Sequence, residues 1–199
     1  MYRGFNNDEC LICHYSLVRG LDMFALFSND MICYKCRSLL KAKLKRSKIF
    51  NLTTYSFYEY DNVSQFLIRF KDYFDISLGP VFLSPYAFLI NTIFKGYKIV
   101  LIPSSSKMLE LRGFDHLELM LEDVKLKKVK CMIKTDTIQR FSKDRKVKFE
   151  LIGNHSFDKI IIFDDVITSG NSLKAAVDLL SPIANKIVLI TVINNYKVR

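Results

Sequence analysis

Lys159-Ile-Ile-Ile-Phe163-Asp164-Asp165-Val-Ile-Thr168-Ser169-Gly170-Asn171-Ser172 opens as an uninterrupted apolar run and closes on a hydroxyl-rich turn. Apolar residues in succession, with no alternation, predict a strand buried on both faces, as in a parallel sheet covered by helices. Two carboxylates leave that strand, and the turn leads directly into a helix expected over Ser172–Leu180. The hydroxyls of Thr168, Ser169 and Ser172, with the backbone N–H groups around Gly170 and Asn171, can all donate to one phosphate. A helix N-terminus adds its partial positive charge to such a cradle. Asp164 and Asp165 are then placed to accept from sugar hydroxyls or to hold Mg²⁺ through water. An ordinary helix cap with two surface acids needs only one of these hydroxyls. The whole run therefore argues for a phosphate-bearing ligand.

The same alternation extends outward. Thr53–Tyr60, Tyr97–Ile102 and Lys186–Ile193 read as strands, while Val63–Lys71 and Pro80–Lys95 read as helices. Phe114, Leu117, Leu121 and Val124 mark a further amphipathic helix. Lys128–Lys134 alternates as a strand, with Val129, Cys131 and Ile133 on one face and Cys131 a buried small hydrophobe. Strands separated by helices give an α/β class with a parallel sheet, and in open sheets of this kind ligands sit at the carboxyl ends of the strands. The strand ending at Ile102 runs into Pro103-Ser104-Ser105-Ser106-Lys107, followed by Leu111-Arg112-Gly113-Phe114-Asp115. Ser104, Ser105 and Ser106 are compact donors, and Lys107 and Arg112 bring charge. That is the set a pyrophosphate requires.

Four of the five cysteines read Cys10-x2-Cys13-x19-Cys33-x2-Cys36. Two Cys-x2-Cys turns present two pairs of thiolates to one tetrahedral ion, which suits Zn²⁺. Four thiolates close the shell, so the expected zinc is structural. His14, beside Cys13, is read as a surface residue. Leu21, Met23, Phe24, Leu26 and Phe27 supply a small apolar cluster between the pairs. So small a module depends on its metal for much of its folding free energy. The chain is accordingly divided into a zinc knuckle with a basic linker over 1–48, in which Arg37–Lys48 is a connecting helix or linker, and an α/β domain over 49–199.

The 199 residues are 50% hydrophobic and 25% charged, a globular composition. No apolar run approaches the roughly 20 residues needed to cross a bilayer. The first ten residues lack the apolar core of a secretory signal, so no membrane insertion and a cytoplasmic location are expected. The net charge of +10 is concentrated. Residues 1–48 hold nine basic and four acidic residues, and residues 125–148 hold ten and two. Such zones fit a polyanionic partner, although charge runs are commonly just solvated faces.

Residues 160–172 resemble the phosphoribosyl-pyrophosphate (PRPP) binding motif of type I phosphoribosyltransferases: an apolar strand, two acids, two apolar residues, then Thr-Ser/Thr-Gly-x-Ser/Thr. In that family the acids approach the ribose 2′ and 3′ hydroxyls and the turn holds the 5′-phosphate. A purine-salvage subgroup has an acid as general base where this chain has Thr168, which counts against hypoxanthine–guanine chemistry, although other phosphoribosyltransferases also have Thr at that place. Together with the cysteine-rich amino terminus, the chain resembles the ComF family of late-competence proteins. The matching elements are the four cysteines, Phe70-Lys71 with Asp75, Pro103, Arg112-Gly113-Phe114, Gln139 with Arg145, and Asp164–Ser172. Departures are Asp115-His116 where the family usually has Asn-Gln, a missing glycine before Asp75, and Phe141 where leucine is usual.

The resemblance implies a cytoplasmic protein of natural transformation that assists uptake of single-stranded DNA beside a ComFA-type helicase. It implies PRPP with Mg²⁺ as ligand and a type I phosphoribosyltransferase-like fold. The basic stretch Lys41–Lys48 and the stretch Lys125–Lys148, interleaved with Phe141 and Phe149, are compatible with binding a single strand. A second reading, from a different class, is a working Mg²⁺-dependent phosphoribosyltransferase of nucleotide salvage. A third is a fold that serves only as a protein-interaction module.

Overall fold

The computed structural model describes residues 9–17, 30–135 and 147–195. Its centre is a six-stranded sheet. In chain order the strands of that sheet are β1 (Lys45–Ile49), β2 (Leu52–Tyr58), β3 (Lys98–Leu101), β4 (Lys128–Val129), β7 (Phe157–Ile167) and β8 (Ala184–Asn194). Their spatial order is β1-β2-β8-β7-β3-β4. Only β1 runs antiparallel, against β2, and every other neighbour pair is parallel. The expected α/β class with a mostly parallel sheet is what the chain forms. Ile160, Ile161, Ile162 and Phe163 of β7 are all buried, as the unbroken apolar run required.

Helices α1 (Tyr34–Leu39), α2 (Tyr60–Asp72), α3 (Ser84–Ile93), α4 (Ser106–Arg112), α5 (His116–Met120) and α6 (Asn171–Leu180) complete the layers. In α2, Val63, Leu67 and Phe70 fall on one stripe at helical spacing and are buried. Leu173, Ala176, Val177 and Leu180 do the same for α6. A separate two-stranded hairpin is made of β5 (Met132–Thr135) and β6 (Lys148–Leu151). Among the described residues no single helix is long and apolar enough to cross a membrane.

Four expectations about local structure need correction. Pro80–Lys95 is not one helix. A 3-10 turn at Pro80–Phe82 precedes α3, because Pro85 has no N–H to give the preceding turn. The helix expected over 114–124 is regular only at His116–Met120. Its end tightens into i→i+3 bonds, Glu122 N–H to Leu119 O and Val124 N–H to Leu121 O, while Leu117, Leu121 and Val124 stay buried as expected. The stretch 128–134 is two short strands. The chain leaves β3 after Val129 to pair with β6, so Cys131 and Met132 are buried and Ile133 is exposed. The stretch Arg37–Lys48, expected as a connecting helix or linker, holds only the end of α1 and then most of the edge strand β1. The apolar cluster at 21–27 and the positions Gln139, Phe141 and Arg145 lie outside the described residues.

Gly79 has a packing reason. A Cβ there would meet Leu119 Cβ at 2.8 Å and the Phe70 ring at 3.2 Å. The bare backbone lets the turn before Pro80 press between α2 and α5. Phe70 then packs on Phe82 and Phe114, with ring centroids 6.0 and 5.6 Å apart. That aromatic cluster fixes the end of α2 and the start of α5 relative to the sheet.

Candidate functional site

β3 and β7 are neighbours, yet the chain leaves them in opposite directions: β3 leads outward to β4, and β7 leads to β8 on its other side. Such a reversal opens a crevice at the carboxyl ends of the two strands. The two stretches singled out from the sequence, 103–112 and 164–172, both start at this crevice.

The acids do not leave β7 but belong to it, with Asp164 in register with Thr191 of β8. Successive strand residues face opposite sides of a sheet, so the two carboxylates have different surroundings. Asp165 is buried and points to the side of α2 and α5. Its Oδ2 accepts from Lys71 Nζ and lies 3.5 Å from His116 Nε2. Its Oδ1 accepts the backbone N–H of Val166 at 2.8 Å. Burial by itself would raise this carboxyl, but the hydrogen bond to His116 and the Lys71 charge outweigh it and hold Asp165 well below the ordinary carboxylate range. Asp164 is half-buried, and its Oδ1 accepts the N–H of Asp165 at 2.9 Å. Burial, with the negative charge of Asp165 next to it, pushes Asp164 well above the ordinary range. One acid is a fixed anion and its neighbour holds a proton more tightly.

His116 joins this acid to the other strand end. Its Nδ1 lies 3.4 Å from Ser104 Oγ and 3.5 Å from an Arg112 guanidinium nitrogen. Arg112 Nε donates to the Lys71 carbonyl at 3.2 Å, pinning the last turn of α4 to the last turn of α2. Ser104, Arg112 and Asp165 therefore gather around His116 and Lys71. Ser105 is the N-cap of α4, its hydroxyl accepting from Met108 N–H at 3.4 Å. Ser106 and Lys107 are exposed on the first turn of α4, outside the hydrogen bonds of this cluster.

Thr168, Ser169 and Asn171 are exposed, Ser172 is half-buried, and Gly170 is buried in the left-handed region at φ +75°. Glycine adopts that conformation without steric cost, and here it turns the chain from β7 into α6. No side chain caps α6. Among the described residues, the one hydroxyl contact of this turn is long, Asn171 N–H to Ser169 Oγ at 3.5 Å. The simplest alternative for these hydroxyls, an ordinary helix cap, is thus not what they form.

The four cysteines form a second site. The sulfurs of Cys10, Cys13, Cys33 and Cys36 lie within 4.8 Å of one another, and Cys13 and Cys33 are 3.6 Å apart. A tetrahedral Zn²⁺ with bonds of about 2.3 Å separates its sulfurs by about 3.8 Å, so the cluster fits that ion. Cys33 N–H donates to Cys10 Sγ at 3.2 Å. Burial works against ionisation of Cys10, but backbone donors from Cys33, Cys13 and Ile12 outweigh it and bring the thiol down to about 6, which suits a thiolate ligand.

Arg37, read from sequence as the start of a linker, ties this knuckle to the sheet. It forms a bidentate pair with Asp30 and donates to Tyr58 Oη at 3.2 Å and to the Val81 carbonyl at 2.8 Å. Tyr58 Oη in turn donates to the Phe82 carbonyl at 2.9 Å. In the sequence Lys71 is only a matched position and His116 a departing one, and nothing local marks them as partners of an acid. Lys71 and Asp165 are 94 positions apart.

No protein-family profile matches the chain, and no curated protein matches it. Among solved structures, a hypoxanthine-guanine phosphoribosyltransferase of Bacillus anthracis is similar at 16% identity, over 63% of this chain and 73% of that one, with a TM-score of 0.41. An adenine phosphoribosyltransferase is similar at 18% identity, over 80% and 88%, with a TM-score of 0.41. The enzyme of the same name from Leishmania tarentolae is similar at 11% identity, over 83% and 93%, with a TM-score of 0.37.

Proposed function

We propose that this chain is a ComF-like protein of natural transformation, binding PRPP in the crevice between β3 and β7 and assisting single-stranded DNA in the cytoplasm beside a ComFA-type helicase. The observation that carries the ligand reading is the pairing, at one switch point, of an ionised buried acid with an uncapped hydroxyl-rich helix start. In this reading Thr168, Ser169, Gly170, Asn171 and Ser172 hold the 5′-phosphate, their donors having no competing cap. Asp164 and Asp165 face the ribose hydroxyls. Ser104, Ser105, Ser106, Lys107 and Arg112 receive the pyrophosphate, with Mg²⁺ arriving on the ligand. The cysteine cluster holds Zn²⁺ and keeps the amino-terminal segment folded. Lys45, Arg46 and Lys48 are exposed along the edge strand β1, a basic rim suited to a polyanion without sequence preference.

The alternative is a working phosphoribosyltransferase of nucleotide salvage, favoured by the intact acid pair. The chain has Thr168 where a purine-salvage subgroup has an acid, which weighs against hypoxanthine–guanine chemistry and leaves other phosphoribosyl transfers open. Calorimetric titration of PRPP·Mg²⁺ and of a single-stranded oligonucleotide, separately and together, tests both parts. Saturable PRPP binding, and DNA binding that weakens steeply with salt, are expected. Absence of PRPP binding removes the ligand assignment. Turnover of any free nucleobase favours the enzyme, and normal transformation by a chain with both acids changed to asparagine removes the crevice from the biological role.

A further inference from the structure

The departure at position 116 has a physical consequence. His116 is buried, and its two ring nitrogens face different groups. On the Nδ1 side are Ser104 Oγ at 3.4 Å and an Arg112 guanidinium nitrogen at 3.5 Å. Arginine only donates, so Nδ1 must present its lone pair there. On the Nε2 side is the Asp165 carboxylate at 3.5 Å, which only accepts. Of the two tautomers of the ring, both sides select the one with the proton on Nε2. Lys71 compensates the charge of Asp165 from α2. The acids beside it on α5 face away: Asp115, the N-cap, accepts from Leu117 N–H, and both Asp115 and Glu118 pair with Lys130 at 3.1 Å.

We propose that His116 is a positioning residue of the candidate ligand site: held as the Nε2–H tautomer, it bridges Asp165 on β7 to Ser104 and Arg112 on the β3 side. The bridge sets the orientation of the Asp165 carboxylate and the reach of Arg112 together. The sugar end and the anionic end of a phosphorylated ribose ligand are thereby registered to each other. The ligand class rests on the PRPP reading given above. The bridge itself does not. Glutamine is the one uncharged side chain of comparable reach that also offers an acceptor and a donor at once.

The test uses the full chain and three variants, H116Q, H116L and D165N. Ring ¹⁵N chemical shifts report the tautomer, with the His116 signals identified by their loss in H116Q. Titration calorimetry with PRPP·Mg²⁺ and with inorganic pyrophosphate reports affinity, and thermal melting reports folding. The Nε2–H tautomer is expected in the unmutated chain, with a shift towards a mixed population in D165N. H116L should bind both ligands roughly tenfold or more weakly, the size of a lost hydrogen bond to charged groups. H116Q should stay within about threefold of the unmutated chain. An Nδ1–H tautomer, a tautomer indifferent to D165N, or a folded H116L with unchanged affinity overturns the proposal. If the unmutated chain binds no PRPP, the ligand reading falls, and the tautomer with its response to D165N decides the bridge alone.

Discussion

The cysteine knuckle and the crevice between β3 and β7 are both built from polar groups that cannot stand unpaired, but they recruit their partners differently. In the knuckle each ligand pair comes from one Cys-x2-Cys turn, and a single loop closure brings four sulfurs within 4.8 Å. In the crevice, Asp165 finds Lys71 at the end of α2 and His116 at the start of α5, each delivered by a different element. The first site is a local device whose four thiols are spaced to hold an ion. The second is completed by the sheet and its helices, so its integrity and that of the domain are one matter. The Arg37 contacts with Tyr58 and Val81 are where the two regimes meet.

Removing the ion should produce the largest effect and sharpen that contrast. Structural zinc supplies on the order of 10 kcal/mol of binding free energy to small four-ligand modules. A chelator, or Cys36→Ser, should abolish hydrogen-exchange protection around Cys33–Leu40 while β3, β7 and β8 keep theirs. Metal analysis should find one zinc per chain beforehand. Simultaneous loss of protection throughout the sheet would show that the knuckle is no separate device.

Asp165→Asn attacks the crevice and should cost about 3 kcal/mol, because it leaves the Lys71 ammonium largely buried without its counter-charge. The pH dependence has a definite sign. Asp165 is held below its ordinary value, so its contribution is present above the ordinary carboxylate range and fades as pH falls through it towards the folded value. Chemical denaturation across acid pH should therefore show the gap between the two chains closing at low pH. A gap that stays constant would mean the carboxylate is not what Lys71 and His116 recognise.

The contrast also explains how much was legible in the sequence. The strand order of charge and apolarity around β7, the hydroxyl-rich turn and the cysteine spacing are all contiguous patterns, and each is present in the structure. Lys71 and His116 carry no such pattern, since a helix-end lysine and a lone histidine are commonplace, and only the packing of Phe70, Phe82 and Phe114 brings them to Asp165. Arg37 was lost in a run of basic residues for the same reason. The strand expected over 128–134 failed because alternation continues through Lys130 while the backbone changes partners there.

Arg37→Met tests the junction and should have a smaller effect, about 2 kcal/mol, since one buried side chain loses its hydrogen bonds to Asp30, Tyr58 and Val81. Zinc content should be unchanged because none of its ligands is touched. The expected signature is a lower melting temperature with faster exchange at the end of β2. Loss of zinc in this variant would instead make Arg37 part of the metal site's own support.

Asp164→Asn should give the smallest change in stability, and of opposite sign. Burial and the adjacent Asp165 charge both disfavour its ionised form, so the folded chain resists what the unfolded chain accepts at neutral pH. A carboxyl raised in this way contributes stability that is complete below the ordinary carboxylate range and is lost as pH rises through the folded value. Asparagine keeps an oxygen for the Asp165 N–H and has no charge to lose, so a gain in stability is expected at neutral pH, vanishing in acid. If Asp164 also faces the ribose hydroxyls, the same variant binds PRPP more weakly while melting higher. A group that serves only the fold cannot give that combination, because its removal would move both quantities down or leave binding alone. Denaturation curves and calorimetry on one preparation of each chain decide it. A destabilised variant with intact affinity would place Asp164 with the scaffold and leave Asp165 as the acid of the crevice.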